Sequence, residues 1–326
     1  MSDITLVEAV NLALARAMEE DEGVLLLGED IGVDGGVFRA TAGLLERFGE
    51  DRVFDTPLSE ALIAGLAVGL GAQDFRPVVE FQFMGFMYPA LDQLANHAGR
   101  LRNRTRGRLS CPIVLRAPYG GGIHAPEHHS ESAEALYAHL PGIRVVIPSS
   151  PAQAYGLLLA AVRDPDPVVF LEPKRIYRAV KEAVADDGTA LPLDRCFVLR
   201  DGRDVTLVTW GAMTKETLAA AETLSGEGVE AEVIDVATLK PLDAETILAA
   251  VGRTGRCVIV QEAPLTGGFG AEIAARLADR GLTGLLAPVQ RVAGYDTVMP
   301  LPRLEEQYMP SEARILAAVR RTLEYA

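Results

Sequence analysis

Several shortages in this chain limit what it can be. Three cysteines, Cys111, Cys196 and Cys257, lie far apart with no Cys-x-x-Cys spacing, which argues against a zinc site, a redox pair or a disulfide framework. They read as small core residues. Basic residues are outnumbered, with 31 Lys and Arg against 45 Asp and Glu for a net charge of −14. Such a balance opposes attraction to phosphate polymers and anionic membranes, so neither nucleic acid nor membrane is an expected partner. No apolar run reaches the ~18 residues of a spanning helix, and the N-terminal stretch MSDITLVEAVNLALARAMEEDE has no basic segment followed by an apolar core. The expectation is a soluble, cytoplasmic protein. The phosphate-loop spacings G-x-G-x-x-G and G-x-x-x-x-G-K-[ST] are missing from GEDIGVDGG, TWGAMT and GGFG, so a self-contained nucleotide site is not supported.

What is present is ample apolar material, 49% of 326 residues, enough for two domains. Residues 4–20 carry apolar side chains at helical spacing, and Val24–Leu27 reads as a buried strand. DTPLSEALIAGLAVGLGA passes from a turn into a helix rich in small residues, starting near Ser59, whose glycines cost about 1 kcal/mol each relative to Ala and imply a close-packed interface. Further strands are expected at Pro77–Phe83, Ile113–Arg116, Arg144–Ile147 and Val168–Leu171, with helices at Tyr88–Leu101 and Pro151–Val162. The periodicity lapses around KEAVADDGTALPLD and resumes with strands at Val205–Thr209, Ala231–Val236, Cys257–Gln261 and Val289–Val292, separated by helices. Alternation of this kind predicts an α/β protein of two domains, each a mainly parallel sheet flanked by helices: 1–185, a linker at 186–201, and 202–326.

The densest chemistry lies in GGGIHAPEHHSESAE, residues 120–134, with three glycines, three histidines and three acids. All five histidines fall between His97 and His139. HAPEH matches the H-x-x-E-H zinc pattern, but three glycines before it and Pro126 inside it oppose the helix that zinc binding needs. Acid–base work by one imidazole, with Glu127 or Glu131 as its carboxylate partner, competes with plain backbone hydrogen bonding in a loop. Glu60 follows a candidate N-cap, Ser59, and has an ordinary structural role available at a helix N-terminus beside a catalytic one. The basic run RLRNRTRG, Arg100–Gly107, reads as a solvated helix end or an anion-contacting surface.

Taken together, LLLGEDIG, GGVFRAT, DRVFDTPLSEALIAGLAVGLG, FQFMGFMYPALDQ, HHSES, PGIRVVIPSSP, RDPDPVVFLEPKRIYR and TLKPLD resemble the beta subunit of the thiamine-diphosphate-dependent 2-oxoacid dehydrogenases, the decarboxylating components of the pyruvate and branched-chain complexes. The match runs from about Thr5 to the C-terminus. It implies two transketolase-like domains, an N-terminal pyrimidine-binding one and a C-terminal one. The cofactor is then shared with an alpha subunit in an α2β2 assembly.

Residue roles follow from the same resemblance. Glu60 stands at the position of the glutamate that hydrogen-bonds the pyrimidine nitrogen and promotes the imino tautomer needed to activate the thiazolium. Phe86 matches the aromatic packed on the pyrimidine, Gln82 lines the same pocket, and Glu29 belongs to a network linking active sites. His129 matches the active-site histidine, serving proton transfer or hydrogen bonding during acyl transfer to lipoamide, with His128 beside it. Ile113, Ala161, Val162, Asp164 and Asp166 match the ligands of a structural monovalent cation such as K+, with Asp166 standing where many relatives have Asn; hard oxygen donors suit such an ion. The Gly-Asp-Gly motif for Mg2+ and diphosphate is missing, and DDG at Asp186–Gly188 is no substitute. The alpha subunit is therefore expected to bind Mg2+, and the isolated chain to be inactive.

The implied activity is oxidative decarboxylation of a 2-oxoacid, pyruvate first, with acyl transfer to the lipoyl domain of a dihydrolipoamide acyltransferase core. Branched-chain 2-oxoacids or acetoin are the alternative substrates. A ketol-transferring transketolase and a non-catalytic assembly scaffold are the alternative functions; retention of both Glu60 and His129 disfavours the scaffold.

Overall fold

Thr5 sets the start of the first helix. In the computed structural model, which describes residues 3–325, the Thr5 backbone N–H donates to Glu8 Oε2 at 2.7 Å and the Thr5 hydroxyl oxygen accepts from the Glu8 N–H at 3.4 Å. This reciprocal capping box satisfies two otherwise orphaned donors, and such an N-cap contributes about 1 kcal/mol. It follows β1 (Asp3–Thr5) and begins α1 (Leu6–Glu20), whose apolar face, Leu6, Val10, Leu14 and Met18 among others, is buried. The helix expected over 4–20 thus begins two residues late, because Asp3–Thr5 pairs antiparallel with β8 (Lys181–Ala183).

The first unit comprises 1–119 and 136–193. Its strands are β2 (Val24–Gly28), β3 (Val53–Asp55), β4 (Arg76–Glu80), β5 (Val114–Tyr119), β6 (Arg144–Val146) and β7 (Val168–Pro173), ordered β6-β7-β5-β4-β2-β3 and parallel throughout. A sheet covered on both faces needs near-continuous apolar strands, and β2, VLLLG, is buried at every position. Helices α2 (Leu44–Phe48), α3 (Glu60–Gly71), α4 (Leu101–Arg104) and α6 (Pro151–Arg163) belong to this unit, and α1 packs on α6. The short α5 (Glu134–His139) leads towards β6. The helix expected at Tyr88–Leu101 is instead wound irregularly: a 3-10 stretch at Met84–Ala90, a π turn at Gln93–His97, a second 3-10 turn at Ala98–Arg100, then α4. Pro89 inside this stretch has no N–H to give an α-helical ladder.

The second unit comprises 120–135 and 194–326. Strands β9 (Phe197–Arg200), β10 (Val205–Thr209), β11 (Ala231–Asp235), β13 (Cys257–Pro264) and β14 (Gln290–Gly294) form a sheet in the order β14-β13-β10-β11-β9, parallel except for the antiparallel edge strand β9. The remaining elements are α7 (Thr214–Gly226), β12 (Thr238–Lys240), α8 (Ala244–Thr254), α9 (Gly270–Gly281), α10 (Pro302–Tyr308) and α11 (Glu312–Leu323). Val205, Val233, Val258, Val260, Ile315 and Val319 meet in its core. Ser311 caps α11 by accepting the Arg314 N–H. Among the described residues no helix is long and apolar enough to cross a membrane.

Candidate active site

Parallel α/β sheets carry their sites at the carboxyl ends of the strands, and four of the expected residues gather there in the first unit. Glu29 follows the end of β2, and Glu60 opens α3, which packs on the Met84–Ala90 turn bearing Phe86. Ser59 occupies the N-cap position but makes no side-chain capping bond, so Glu60 stands half-buried at a helix start without that support. Burial, followed by the charges of Asp30 and Glu60, pushes the Glu29 carboxyl above its ordinary range. Gln82 Nε2 donates to Asp30 Oδ2 at 3.2 Å. The Phe86 ring meets Phe83 edge-on with centroids 5.5 Å apart, and Phe83 meets Phe38 at 5.6 Å. Phe81 is a fully buried core aromatic.

Beside these residues lies a charged cluster that the sequence reading missed. Arg116 on β5 donates to Glu172 on β7 through Nε at 2.6 Å and a terminal nitrogen at 2.9 Å, and to Glu80 on β4 at 3.0 Å. Tyr177 adds its hydroxyl to Glu172 at 2.5 Å. All four side chains are buried. Burial raises the Glu80 carboxyl, with Arg116 opposing that rise, and burial followed by Glu172 holds the Tyr177 phenol well above its ordinary range. The available signal was an ionisable residue within or at the end of each of three largely apolar strands.

The histidine loop folds with the second unit. Gly120 and Gly122 have φ of +84° and +85°, a region glycine enters without cost. A Cβ at Gly121 would come within 2.5 Å of Met299 Cε. The loop's backbone is held by two buried carboxylates: Gly121 N–H and the Ser132 hydroxyl donate to Glu262, and Gly122 N–H donates to Glu305 at 2.7 Å. His124 gives its backbone N–H to the other Glu305 oxygen at 2.9 Å, and its Nδ1 stands 2.9 Å from the same oxygen. Glu305 is thus the carboxylate that grips an imidazole here, while Glu131 stands 3.9 Å from His128 Nδ1. His129 is half-buried in a 3-10 turn, Glu127–His129, and His128 is exposed. That turn is too short for the one-face helical pair of a zinc peptidase, and no group of three or more potential ligands exists among the described residues. Glu134, at the loop's end, accepts the Trp210 indole N–H at 3.1 Å, and burial pushes its carboxyl up to about 8.

Residues 2–180 match the family described as "Transketolase, pyrimidine binding domain", and 194–315 match "Transketolase, C-terminal domain". Over 325 residues, all of both chains, the protein is 47% identical to the "Pyruvate dehydrogenase E1 component subunit beta" of Bacillus subtilis. It is 46% and 44% identical to proteins of the same name from Staphylococcus epidermidis and Staphylococcus aureus. The chain belongs to the beta-subunit family of the 2-oxoacid dehydrogenases. A solved "Split gene transketolase, inactive beta4 tetramer" superposes with a TM-score of 0.82 at 26% identity, covering 99% of each chain. A transketolase from Pichia stipitis shares the fold at 12% identity, with a TM-score of 0.72 over 99% of this chain and 46% of that one.

For a family beta subunit, the residues present fit one half of a thiamine site: a carboxylate at a helix start, an aromatic wall and a neighbouring, partly buried carboxyl. The positions expected for a monovalent cation lie around the end of α6 and the turn into β7. Arg76 donates to the Val162 carbonyl at 2.9 Å, Arg144 pairs with Asp164 at 2.9 Å, and Arg102 pairs with Asp166 at 2.7 Å. The Ile113 carbonyl accepts the Val168 N–H at 2.9 Å, and the Ala161 carbonyl the Asp164 N–H at 3.3 Å. Each carbonyl keeps a second lone pair, so the oxygen set remains compatible with a weakly held ion. The basic run supplies Arg102 to this group and thereby acts as a salt-bridging surface.

Proposed function

We propose that this chain is the beta subunit of a pyruvate dehydrogenase first component, acting with an alpha subunit as α2β2 in oxidative decarboxylation of pyruvate and transfer of the acyl group to a lipoyl domain. The observation that carries this reading is Glu60 at the head of α3, close enough to Glu29 to help raise its carboxyl. Bound thiamine diphosphate supplies the electron sink that no protein side chain offers. Glu60, at the start of α3, would hold the pyrimidine nitrogen of the bound cofactor by a hydrogen bond. Phe86 would pack against the same ring and fix its plane, and Gln82, which donates to Asp30, would line the same pocket. Glu29 retains a proton more readily than an exposed glutamate and relays it between acids.

In the same reading His129 serves the acyl-transfer half as a proton donor or hydrogen-bond partner, with His128 at its side. The segment 1–185, apart from the Gly120–Ala135 loop that folds with the second unit, acts as the pyrimidine-binding domain and 202–326 as the C-terminal domain; of the linker expected at 186–201, Phe197–Arg200 belongs to the second sheet as β9. Mg2+ and the diphosphate fall to the alpha subunit, and K+ to Ile113, Ala161, Val162, Asp164 and Asp166. The similar transketolase chain named as an inactive beta4 tetramer supports the view that a beta chain alone lacks activity.

Co-expression with an alpha subunit tests the proposal. The purified pair is expected to reduce an artificial acceptor in the presence of pyruvate and thiamine diphosphate, and to prefer pyruvate over branched-chain 2-oxoacids and acetoin by about tenfold or more in kcat/KM, a difference of about 1.4 kcal/mol. A pair that binds thiamine diphosphate yet turns over no 2-oxoacid refutes it.

A further inference from the structure

We infer that Glu305 is a positioning residue for acyl transfer: its carboxylate locks the histidine loop in the conformation that presents His129. This rests on the role proposed for His129. Glu305 lies on α10, is 2% exposed, and stands 181 residues from His124 in sequence. Both of its oxygens are used, Oε1 by Gly122 N–H and Oε2 by the backbone N–H of His124, whose imidazole Nδ1 stands 2.9 Å from Oε2. A buried carboxylate is costly unless donors satisfy it, and these two amides and the imidazole all come from the loop.

The backbone records the same constraint. His124 has φ of +59°, a left-handed conformation that costs a residue with a side chain on the order of 1 kcal/mol. Such a conformation persists only where the surroundings dictate it. Here the backbone N–H and the imidazole of one residue converge on a single oxygen. Glu262 fastens the loop independently through Gly121 and Ser132. The Glu127–His129 turn is therefore strung between two fastened points, His124 before it and Ser132 after it. Within the turn, His129 N–H donates to the Pro126 carbonyl at 3.0 Å and Ser130 Oγ to the same carbonyl at 3.2 Å. Release of Glu305 frees Gly122 and His124, the fastening nearest the turn on its upstream side, while Glu262 still holds Gly121 and Ser132.

The experiment uses the α2β2 enzyme loaded with thiamine diphosphate and four variants, Glu305→Gln, Glu305→Asp, His124→Gly and His129→Ala. Hydrogen exchange across 120–132 is read alongside kcat, KM and acylation of a lipoyl domain. Glu305→Gln is expected to speed exchange of the 120–130 amides by about tenfold or more, the scale of one lost charge-assisted hydrogen bond. It should also lower acyl-transfer kcat by about 10–100-fold, with KM for the 2-oxoacid and thiamine diphosphate affinity held within about threefold. His124→Gly should stay within about threefold of wild type, because glycine accepts the left-handed backbone and its N–H still reaches Glu305. Unchanged loop exchange in Glu305→Gln overturns the inference. So does exchange that rises equally across the second unit with loss of cofactor binding, which marks a general structural role. If Glu305→Gln fails to assemble, Glu305→Asp must show the same localised loosening in smaller measure, and its absence overturns the inference equally. Full acyl transfer by His129→Ala refutes the role given to that histidine, and with it the catalytic half of this inference; loop exchange in Glu305→Gln then still decides the anchoring half.

Discussion

Arg116 grips Glu172 with two parallel bonds of 2.6 and 2.9 Å in a place solvent does not reach. Glu80 completes the group, so two carboxylates depend on one guanidinium. Arg116→Met is expected to lower unfolding free energy by about 3–5 kcal/mol, since it removes the guanidinium from two buried acids and leaves Glu172 its bond from Tyr177. Denaturant titration of the full chain measures this, and a loss below about 1 kcal/mol means that water reaches the cluster.

Glu60→Gln should assemble with the alpha subunit and retain thiamine diphosphate while kcat falls by about 10²–10⁴-fold, the range for loss of a positioned proton-transfer group. Gel filtration and steady-state kinetics on the same preparation separate the two effects. Full activity refutes the cofactor-activating role.

His129→Ala should impair the second half-reaction more than the first. Acceptor reduction is expected to fall by less than about tenfold and lipoyl acylation by about 10²-fold or more. Equal losses in the two assays place the histidine in decarboxylation instead.

Glu134 titrates near 8 when folded against an ordinary value of 4.5, because burial disfavours its charge. Between those values the unfolded chain releases a proton that the folded chain keeps, so this residue's contribution to stability falls as pH rises. The slope is roughly 1 kcal/mol per pH unit, levelling above about 8. Glu134→Gln mimics the protonated form and can still accept the Trp210 N–H, so it should flatten that slope; urea midpoints between pH 5 and 9 test this. An unchanged slope assigns the pH dependence to other groups.

Much of the fold was legible because buried parallel strands are continuous apolar runs. Val205–Thr209 was read with its boundaries intact, and α6 to within one residue. The chain after Val292 was not assigned, although Ser311 and the spacing of Ile315, Ala318, Val319 and Thr322 mark α11. Irregular winding over Met84–Arg100 escaped because apolar periodicity does not distinguish α from 3-10 or π turns. Within the site, Glu60 has a sufficient structural explanation as a helix-start acid, and only the family resemblance singled it out. Glu305 had no local signal at all, since its partners are remote in sequence. The loop's glycines were expected to permit close approach of cofactor, substrate or partner; within the chain itself they answer to left-handed turns and the nearness of Met299.

That residues 120–135 fold with 194–326 has a consequence for dissecting the chain. A fragment cut at Asp194 carries away Glu262 and Glu305 but leaves behind the amides that neutralise them, burying two carboxylates without donors. The C-terminal half is thus not a portable module, and any recombination between relatives that respects linear boundaries must bring the Gly120–Ala135 segment from the same parent as α10 and β13.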